Sequence, residues 1–116
     1  MDEWSKLRPE IVKLSRDPRN RYNTHSPSLP CDWAPGTILN PESDMPFTEA
    51  GAWGLICDLL AGSHPFTQVN LRVPPGCKAY ETTHRLRPNL PLIYIKIQLY
   101  KGKVYCRSFH NDLRTQ

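Results

Sequence analysis

Four side chains that can act on a phosphodiester lie close together in the segment PLIYIKIQLYKGKVYCRSFHND, residues 91–112. They are a phenol, an ammonium, a guanidinium and an imidazole, contributed by Tyr94, Lys96, Arg107 and His110. RNA carries its own nucleophile, the 2′-hydroxyl, so a catalyst must take up that proton, stabilise charge on the phosphate and protonate the leaving oxygen. Imidazole can be acid or base near neutral pH, and cations can stabilise the charge. These residue types therefore suit RNA cleavage without a metal or cofactor.

Three of these side chains also have an ordinary structural interpretation. Tyr94 can be a cross-strand packing residue, Lys96 a solvated strand lysine and His110 a polar residue at a strand end. The functional hypothesis therefore depends on their joint presence on one face of a sheet.

The same segment predicts a hairpin with strands from Leu92 to Tyr100 and from Lys103 to Asn111. Alternation with a period of two places four aliphatic residues on the side that must meet the helices: Ile93, Ile95, Ile97 and Leu99. The other side then carries Tyr94, Lys96, Gln98 and Tyr100. With Phe109 in the core, Ser108 and His110 join that outward side, and Arg107 lies near the edge.

The turn between the strands decides which face His110 occupies. A two-residue loop at Lys101-Gly102 pairs Tyr94 with Phe109 and turns His110 inward, where an unpaired imidazole is costly. A three-residue loop with Gly102 in the left-handed conformation keeps His110 outward. We therefore expect the three-residue loop.

Basic residues close to the hairpin extend the candidate site. The strand within CKAYETTHRL is expected to add Lys78, Tyr80 and His84, which share one parity, to the open face. The candidate catalytic residues are Tyr94, Lys96 and His110, and the candidate RNA- or phosphate-binding residues are Arg72, Lys78, His84, Gln98 and Arg107.

The distribution of charge favours a polyanionic partner. Residues 1–63 hold six Lys/Arg and nine Asp/Glu, whereas residues 64–116 hold nine Lys/Arg and two Asp/Glu. The basic half also contains the predicted strands, and a small basic sheet suits RNA or DNA. A solvated basic surface without a ligand is the alternative.

The remaining elements are two helices and a long irregular segment. Apolar spacing predicts a helix from about Glu3 to Arg16. Pro9 leaves two alternatives open, a start near that proline or a kink there. Residues 17–46 carry six prolines and are expected to form a long loop, anchored by Trp33. A second helix is predicted over Thr48–Ala61, with Thr48 as its N-cap, Gly62 as its stop and an apolar stripe made of Ala50, Trp53, Ile56, Cys57 and Leu60.

This order of elements predicts a single α+β domain over residues 1–116. Residues 1–46 supply a helix and the Pro-rich loop, and residues 47–116 supply the helix and sheet core. We expect a small antiparallel sheet of three or four strands, packed by helices on one face and open on the other.

Cysteine spacing and apolar runs exclude several other classes. The four cysteines form no C-x-x-C pair, so we expect free, mostly buried thiols and no metal site. Residues 1–10 lack the pattern of a secretory signal, and no apolar run approaches the roughly 20 residues of a membrane-spanning helix. The expected location is the cytoplasm.

The segment IYIKIQLYKGKVYCRSFH resembles the C-terminal hairpin of MqsR-type toxins, small bacterial ribonucleases with a RelE-like fold. That family has a Tyr-x-Lys in the penultimate strand and a Ser-Phe-Lys near the terminus. Tyr94-Ile95-Lys96 matches the first motif, and Ser108-Phe109-His110 matches the second with histidine replacing lysine. The match covers roughly the last 65 residues. It implies a RelE-like fold and active-site roles for Tyr94 and His110.

The resemblance implies an endoribonuclease of a toxin–antitoxin system, with an RNA substrate and a neutralising antitoxin protein. The alternative is a non-catalytic binding protein, such as a phage-type inhibitor or a nucleic-acid adaptor, that uses the same basic face. Such a protein binds with steep salt dependence and leaves RNA intact.

Overall fold

Two helices lie against one face of a six-stranded sheet in the computed structural model of this chain, which describes residues 2–112. The helices are α1 (Glu3–Ser15) and α2 (Glu49–Ala61). The strands are β1 (Arg21–Tyr22), β2 (Asp32–Trp33), β3 (Leu39–Asn40), β4 (Met45–Pro46), β5 (Thr67–Asn70), β6 (Lys78–His84), β7 (Ile93–Tyr100) and β8 (Lys103–Asn111). Short 3-10 turns occupy Pro18–Asn20 and Pro35–Thr37.

The large sheet has the order β1-β8-β7-β6-β5, with β2 also paired to β8, and β3 and β4 form a separate small hairpin. Strands β5 to β8 are antiparallel to their neighbours, whereas β1 and β2 run parallel to β8. The predicted α+β class is confirmed. The expectation of three or four antiparallel strands is wrong, because the Pro-rich segment supplies two short parallel strands that pair with β8. Without them, the edge of β8 would expose its main-chain N–H and C=O groups.

Capping residues set the ends of both helices. The Thr48 side chain accepts a hydrogen bond from the Gly51 amide at 3.0 Å, and Gly62 is the C-cap of α2, both as predicted. Helix α1 begins at Glu3 behind an Asp2 cap and continues through Pro9, so the predicted span from about Glu3 to Arg16 is confirmed and the alternative start near Pro9 is wrong. The Asp2 side chain satisfies an amide at the start of a helix whose first turn would otherwise lack partners.

The hydrophobic core lies between the helices and the inner face of the sheet. Ile93, Ile95 and Ile97 are at most 1% exposed, as their alternation predicts. The buried stripe of α2 consists of Ala52, Trp53, Ile56, Leu59 and Leu60. The predicted stripe shared only three of these, since Ala50 is exposed and Cys57 is half-buried. Trp33 anchors the Pro-rich segment as expected, with its ring 5.7 Å from that of Trp53 and 5.4 Å from that of Phe109.

The hairpin reaches its register by a different route from the predicted one. The loop has two residues, because Tyr100 pairs with Lys103, and both Lys101 (φ 51°) and Gly102 (φ 74°) are in the left-handed region. A bulge then shifts the register: Lys96 pairs with Ser108, but Ile97 pairs with Cys106, which leaves Arg107 as the extra residue. The three-residue loop is therefore wrong, yet the bulge pairs Tyr94 with His110 and so keeps His110 on the outward face, as predicted.

All four cysteines are free, with Cys31 and Cys106 buried and the other two half-buried. Burial raises the pKa of the Cys106 thiol. Over residues 2–112, neither helix combines the length and the apolar character needed to cross a membrane.

Candidate active site

The sheet face turned away from the helices, called the outer face below, brings the candidate catalytic residues together in two rows. Pairing across β6, β7 and β8 places Glu81, Lys96 and Ser108 in one row. The neighbouring row contains Tyr94 and His110. Directly paired residues of an antiparallel ladder have Cβ atoms roughly 5 Å apart. The register therefore gathers a carboxylate, an ammonium, a phenol and an imidazole within one small area.

His110 lies between an aromatic ring and a carboxylate. Its ring centroid is 5.5 Å from that of Tyr94, and its Nε2 is 3.3 Å from an Asp32 carboxylate oxygen. Its Nδ1 lies 2.7 Å from the Asn111 carbonyl oxygen. Because a carbonyl oxygen only accepts, Nδ1 carries a hydrogen and Nε2 is the position that gains or loses a proton. Facing Asp32, Nε2 donates to the carboxylate when the ring is doubly protonated.

Tyr94 is held by the second carboxylate of the outer face. Its hydroxyl donates a hydrogen bond to Glu81 Oε2. Glu81 is paired on the strand ladder with Lys96, whose ammonium pKa is lowered by burial and by the nearby Arg107 charge, against the opposing effect of Glu81. The site thus contains two acid–base pairs, Tyr94–Glu81 and His110–Asp32. Lys96 lies between their carboxylates, because it pairs with Glu81 on one side and with Ser108, the partner of Asp32, on the other.

Arg107 is buried at 5% exposure rather than lying near the edge. Its Nε donates to the Pro30 carbonyl at 2.6 Å, and its two terminal nitrogens donate to Gln98 Oε1 at 2.7 Å and to the Val73 carbonyl at 2.8 Å. All three nitrogens of the guanidinium therefore bind protein acceptors. The bulge directs this side chain so that it fastens two loops onto the outer face.

Those loops and the sheet line an open cavity of about 480 Å³ that includes Asp32, the ion-pair partner of His110. Its floor is Lys96, Arg107 and Ser108. One wall consists of His25 and residues 30–32, and the other of residues 70–73, which include the exposed Arg72. Two permanent cations and a lysine face a single carboxylate, that of Asp32, so the cavity suits an anionic group.

Three predicted residues lie elsewhere. Lys78 and His84 belong to the parity of β6 that pairs with the inward isoleucines, and the expectation that they share the open face is wrong. Lys78 forms an ion pair with Glu3 of α1 at 3.0 Å, and the His84 ring lies 5.3 Å from that of His64. Tyr80, expected beside them, stacks on Trp4 in the core.

Gln98 is on the outer face as predicted, but it is 1% exposed and accepts the hydrogen bond from Arg107. Its amide therefore supports Arg107 in the folded protein. The parity of β6 was ambiguous from sequence, because Ala79 and Tyr80 are both buried and belong to opposite faces.

Sequence reasoning missed the two carboxylates of the site. Glu81 carried one usable signal, since residues 64–116 contain only one other acidic residue, Asp112. An isolated acid in a basic strand region suggests a specific partner. No signal of this kind marks Asp32 in the sequence, because its position in the site depends on the parallel pairing of β2 with β8.

Within residues 2–112, no three His, Cys, Asp or Glu side chains form a group that could hold a metal ion. Comparison with known proteins finds no matching protein-family model, no matching curated protein and no matching solved structure. The resemblance to MqsR-type toxins and the RelE-like fold therefore stay predictions from the hairpin motif, without support from these comparisons.

Proposed function

We propose that this protein is an endoribonuclease that cleaves RNA by attack of the 2′-hydroxyl on the adjacent phosphate, without a metal ion. The observation that carries the proposal is the Tyr94–His110 pair, with ring centroids 5.5 Å apart on paired strands beside a basic cavity. A single phosphate can contact both side chains and Lys96 at that separation. Proximity of this kind is what acid–base catalysis requires.

The two acid–base pairs divide the proton transfers of the reaction. The 2′-hydroxyl gives its proton to the Tyr94 oxygen as the Tyr94 proton passes to Glu81. The 2′-oxygen forms a bond to phosphorus, and the bond from phosphorus to the 5′-oxygen breaks. His110, doubly protonated and paired with Asp32, gives the Nε2 proton to the leaving 5′-oxygen. The products are a 2′,3′-cyclic phosphate and a 5′-hydroxyl, and water can open the cyclic phosphate to a 3′-phosphate.

Charge in this reaction is stabilised by the cations of the cavity. Lys96 lies on the floor and Arg72 on the wall. A lysine ammonium in a partly desolvated site stabilises a developing dianion more strongly than one in water. Arg107 acts as a positioning residue, because its donors hold the Pro30 and Val73 carbonyls in place.

The test is incubation of RNA with the protein in excess EDTA, followed by analysis of the product ends. We expect cleavage with 2′,3′-cyclic phosphate ends, and none at a 2′-O-methyl nucleotide, which has no attacking hydroxyl. His110→Ala should lower the cleavage rate by about 10²-fold or more, as loss of an acid–base group does. The matched control is His84→Ala, which removes a histidine from the inner face and should change the rate little. An unchanged rate in His110→Ala would contradict the assignment of His110 as the acid that protonates the leaving 5′-oxygen.

We further propose that the cleavage serves as a toxin activity and that a protein antitoxin neutralises it. The support is the hairpin motif shared with MqsR-type toxins, Tyr94-Ile95-Lys96 and Ser108-Phe109-His110. Expression of the wild type in bacteria should arrest growth, and His110→Ala should relieve the arrest at equal protein levels. Arrest by both proteins would contradict a toxin that acts through this site.

The second candidate is a non-catalytic binding protein, and one observation favours it. Both candidate catalytic side chains already hydrogen-bond or pair within the protein, Tyr94 with Glu81 and His110 with Asp32. A saturated polar network of this kind can simply shape a binding face. Retention of RNA with steep salt dependence, and no cleavage in EDTA, would support this function over the enzyme.

A further inference from the structure

Three tyrosines form a cluster at the other end of the outer face from His110. Tyr22 of β1 stacks on Tyr105 of β8, with ring centroids 5.0 Å apart and planes at 19°. Tyr100 of β7 meets Tyr105 edge-on at 5.9 Å and 79°. The group of Tyr22, Tyr100 and Tyr105 is called the tyrosine cluster below. Its members come from three neighbouring strands, so the sheet holds them in fixed relative positions.

The sheet register places the cluster on the same face as the candidate active site. Tyr105 pairs with Gln98 of β7 and with Tyr22 of β1. Gln98 belongs to the outer face, where it binds Arg107, and directly paired residues share a face. Tyr22 is 40% exposed although one side of its ring lies against Tyr105. A large part of an aromatic ring is therefore available to a ligand.

Basic residues lie at this end of the sheet. The Lys101 ammonium, at the exposed hairpin turn, lies 5.3 Å from the centroid of the Tyr100 ring. Lys103 reaches across to the 3-10 turn that precedes β1, where its Nζ donates to Asn20 Oδ1 at 3.1 Å. The guanidinium of Arg19 is also close in sequence, with a side chain 88% exposed, but it is paired with Asp17 at 2.8 Å. Lys101 is thus a cation at the rings, whereas the Asp17 carboxylate interacts with Arg19 and, more weakly, with Lys103.

We propose that the tyrosine cluster binds a base of single-stranded RNA by stacking, while Lys101 and Lys103 contact the flanking phosphates. Stacked aromatic side chains combined with a basic surface are the usual means of holding single strands. Bases within a duplex are already stacked on each other and cannot occupy such a site. An apolar protein partner would leave the lysine charges desolvated without partners.

This inference rests on the proposed function for its connection to cleavage, and it adds the substrate class. Tyr105 and His110 are five positions apart on β8, which corresponds to roughly 15 Å along the strand. Between them, Arg107 fixes Pro30 and Val73 as a ridge over the sheet. The stacked base therefore lies a few nucleotides from the cleaved bond, and the RNA crosses that ridge. The enzyme should accordingly require a substrate longer than a dinucleotide.

The experiment uses short oligodeoxynucleotides that carry the fluorescent base 2-aminopurine at successive positions, because stacking quenches its emission. DNA lacks the 2′-hydroxyl, so binding is measured without cleavage. We expect strong quenching on the wild type. Tyr22→Leu should weaken binding by roughly 5- to 100-fold and abolish the quenching, whereas Tyr22→Phe should retain both, because the ring remains. Lys101→Ala should reduce the salt dependence of binding and keep the quenching.

The matched control is Met45→Ala, which removes an apolar side chain that is 63% exposed on the separate β3–β4 hairpin and should leave binding unchanged. Equal affinity of the wild type and a folded Tyr22→Leu variant would overturn the proposal, as would preferential binding of duplex. Quenching without RNA cleavage would remove the proposed function and keep the stacking site. RNA cleavage that does not depend on Tyr22, with long or short substrates, would keep the proposed function and remove the stacking site.

Discussion

The inner and outer faces of β7 and β8 are built from alternate residues of the same two strands, yet they differ in how they are stabilised. The inner face is filled by aliphatic and aromatic side chains, such as Ile95 and Phe109, that are fully buried against the helices. The outer face is covered by two loops that Arg107 holds through hydrogen bonds. One face depends on apolar burial, and the other on a polar network.

Because of this difference, we expect the residues that determine stability on the inner face and the residues of the proposed reaction on the outer face. A change on the inner face should affect the free energy of unfolding, whatever it does to RNA. A change on the outer face should act on the proposed RNA binding and cleavage, except at Arg107, where it should also lower stability. Histidines illustrate the contrast, because His84 packs near His64 on the inner side while His110 faces Asp32 on the outer side.

The largest expected effect on stability is that of Ile95→Ala. Ile95 is 0% exposed at the centre of the sheet, and removal of its side chain should lower the free energy of unfolding by about 2 to 5 kcal/mol. Urea denaturation followed by circular dichroism measures it. Lys96→Met, the adjacent change on the outer face, keeps the stem and should alter stability by less than about 1 kcal/mol. Equal losses in both variants would contradict the division between the faces.

Arg107→Ala should cause the second-largest loss of stability. The change leaves the Gln98 side-chain oxygen and the Pro30 and Val73 carbonyls without their donor, and we expect a loss of about 2 to 4 kcal/mol. Limited proteolysis should also cut the two loops faster. The control is Arg87→Ala, whose exposed pair with Glu42 at 3.7 Å should contribute about 0 to 1 kcal/mol. Unchanged proteolysis would show that Arg107 does not fasten the loops.

Tyr94→Phe should affect the reaction and leave the fold intact. It removes the hydroxyl that donates to Glu81 and should lower the single-turnover rate of RNA cleavage by about 10-fold or more. Glu81→Gln should give a similar decrease, because it removes the final proton acceptor. The double variant should be no slower than the slower single variant, since the two groups act on one proton. Additive losses would argue against that pathway.

The smallest effect is a pH dependence that originates on the inner face. Burial, and then the charge of His64, lower the pKa of His84, so the folded state disfavours its protonated form. The unfolded chain then binds more protons below a pH of about 6.5, and stability falls as the pH falls through that range. Thermal unfolding between about pH 7.5 and about pH 5.5 should show a smaller decrease for His84→Gln than for the wild type. An identical decrease in both would exclude this contribution.

The elements that depend on local patterns could be predicted from sequence. Thr48 and Gly62 bound α2 because capping is determined by adjacent residues, and the isoleucines of β7 alternate strictly. The site residues of β7 and β8 followed from the same alternation, which is why Tyr94, Lys96 and His110 share a face as expected.

The features that depend on contacts between distant segments could not be predicted. The parallel pairing of β1 and β2 with β8 brings Asp32 to His110, and no local pattern encodes it. The bulge at Arg107 could not be predicted either, because the hydrogen-bond partners that stabilise it, Pro30 and Val73, belong to loops far away in sequence. Glu81 was missed for a related reason: the parity of β6 is settled by its pairing with β7 and by the contact of Tyr80 with Trp4 of α1, and not by alternation.

The pairing of Arg107 with Pro30 has a consequence for biosynthesis. These residues are 77 positions apart, and the β8 strand that carries Arg107 is translated long after the loop that it fixes. Closing such a long segment is entropically slow, and vectorial synthesis delays it further. The nascent chain therefore stays without an assembled outer face until β8 has left the ribosome, so the proposed site cannot form while that strand is still inside it.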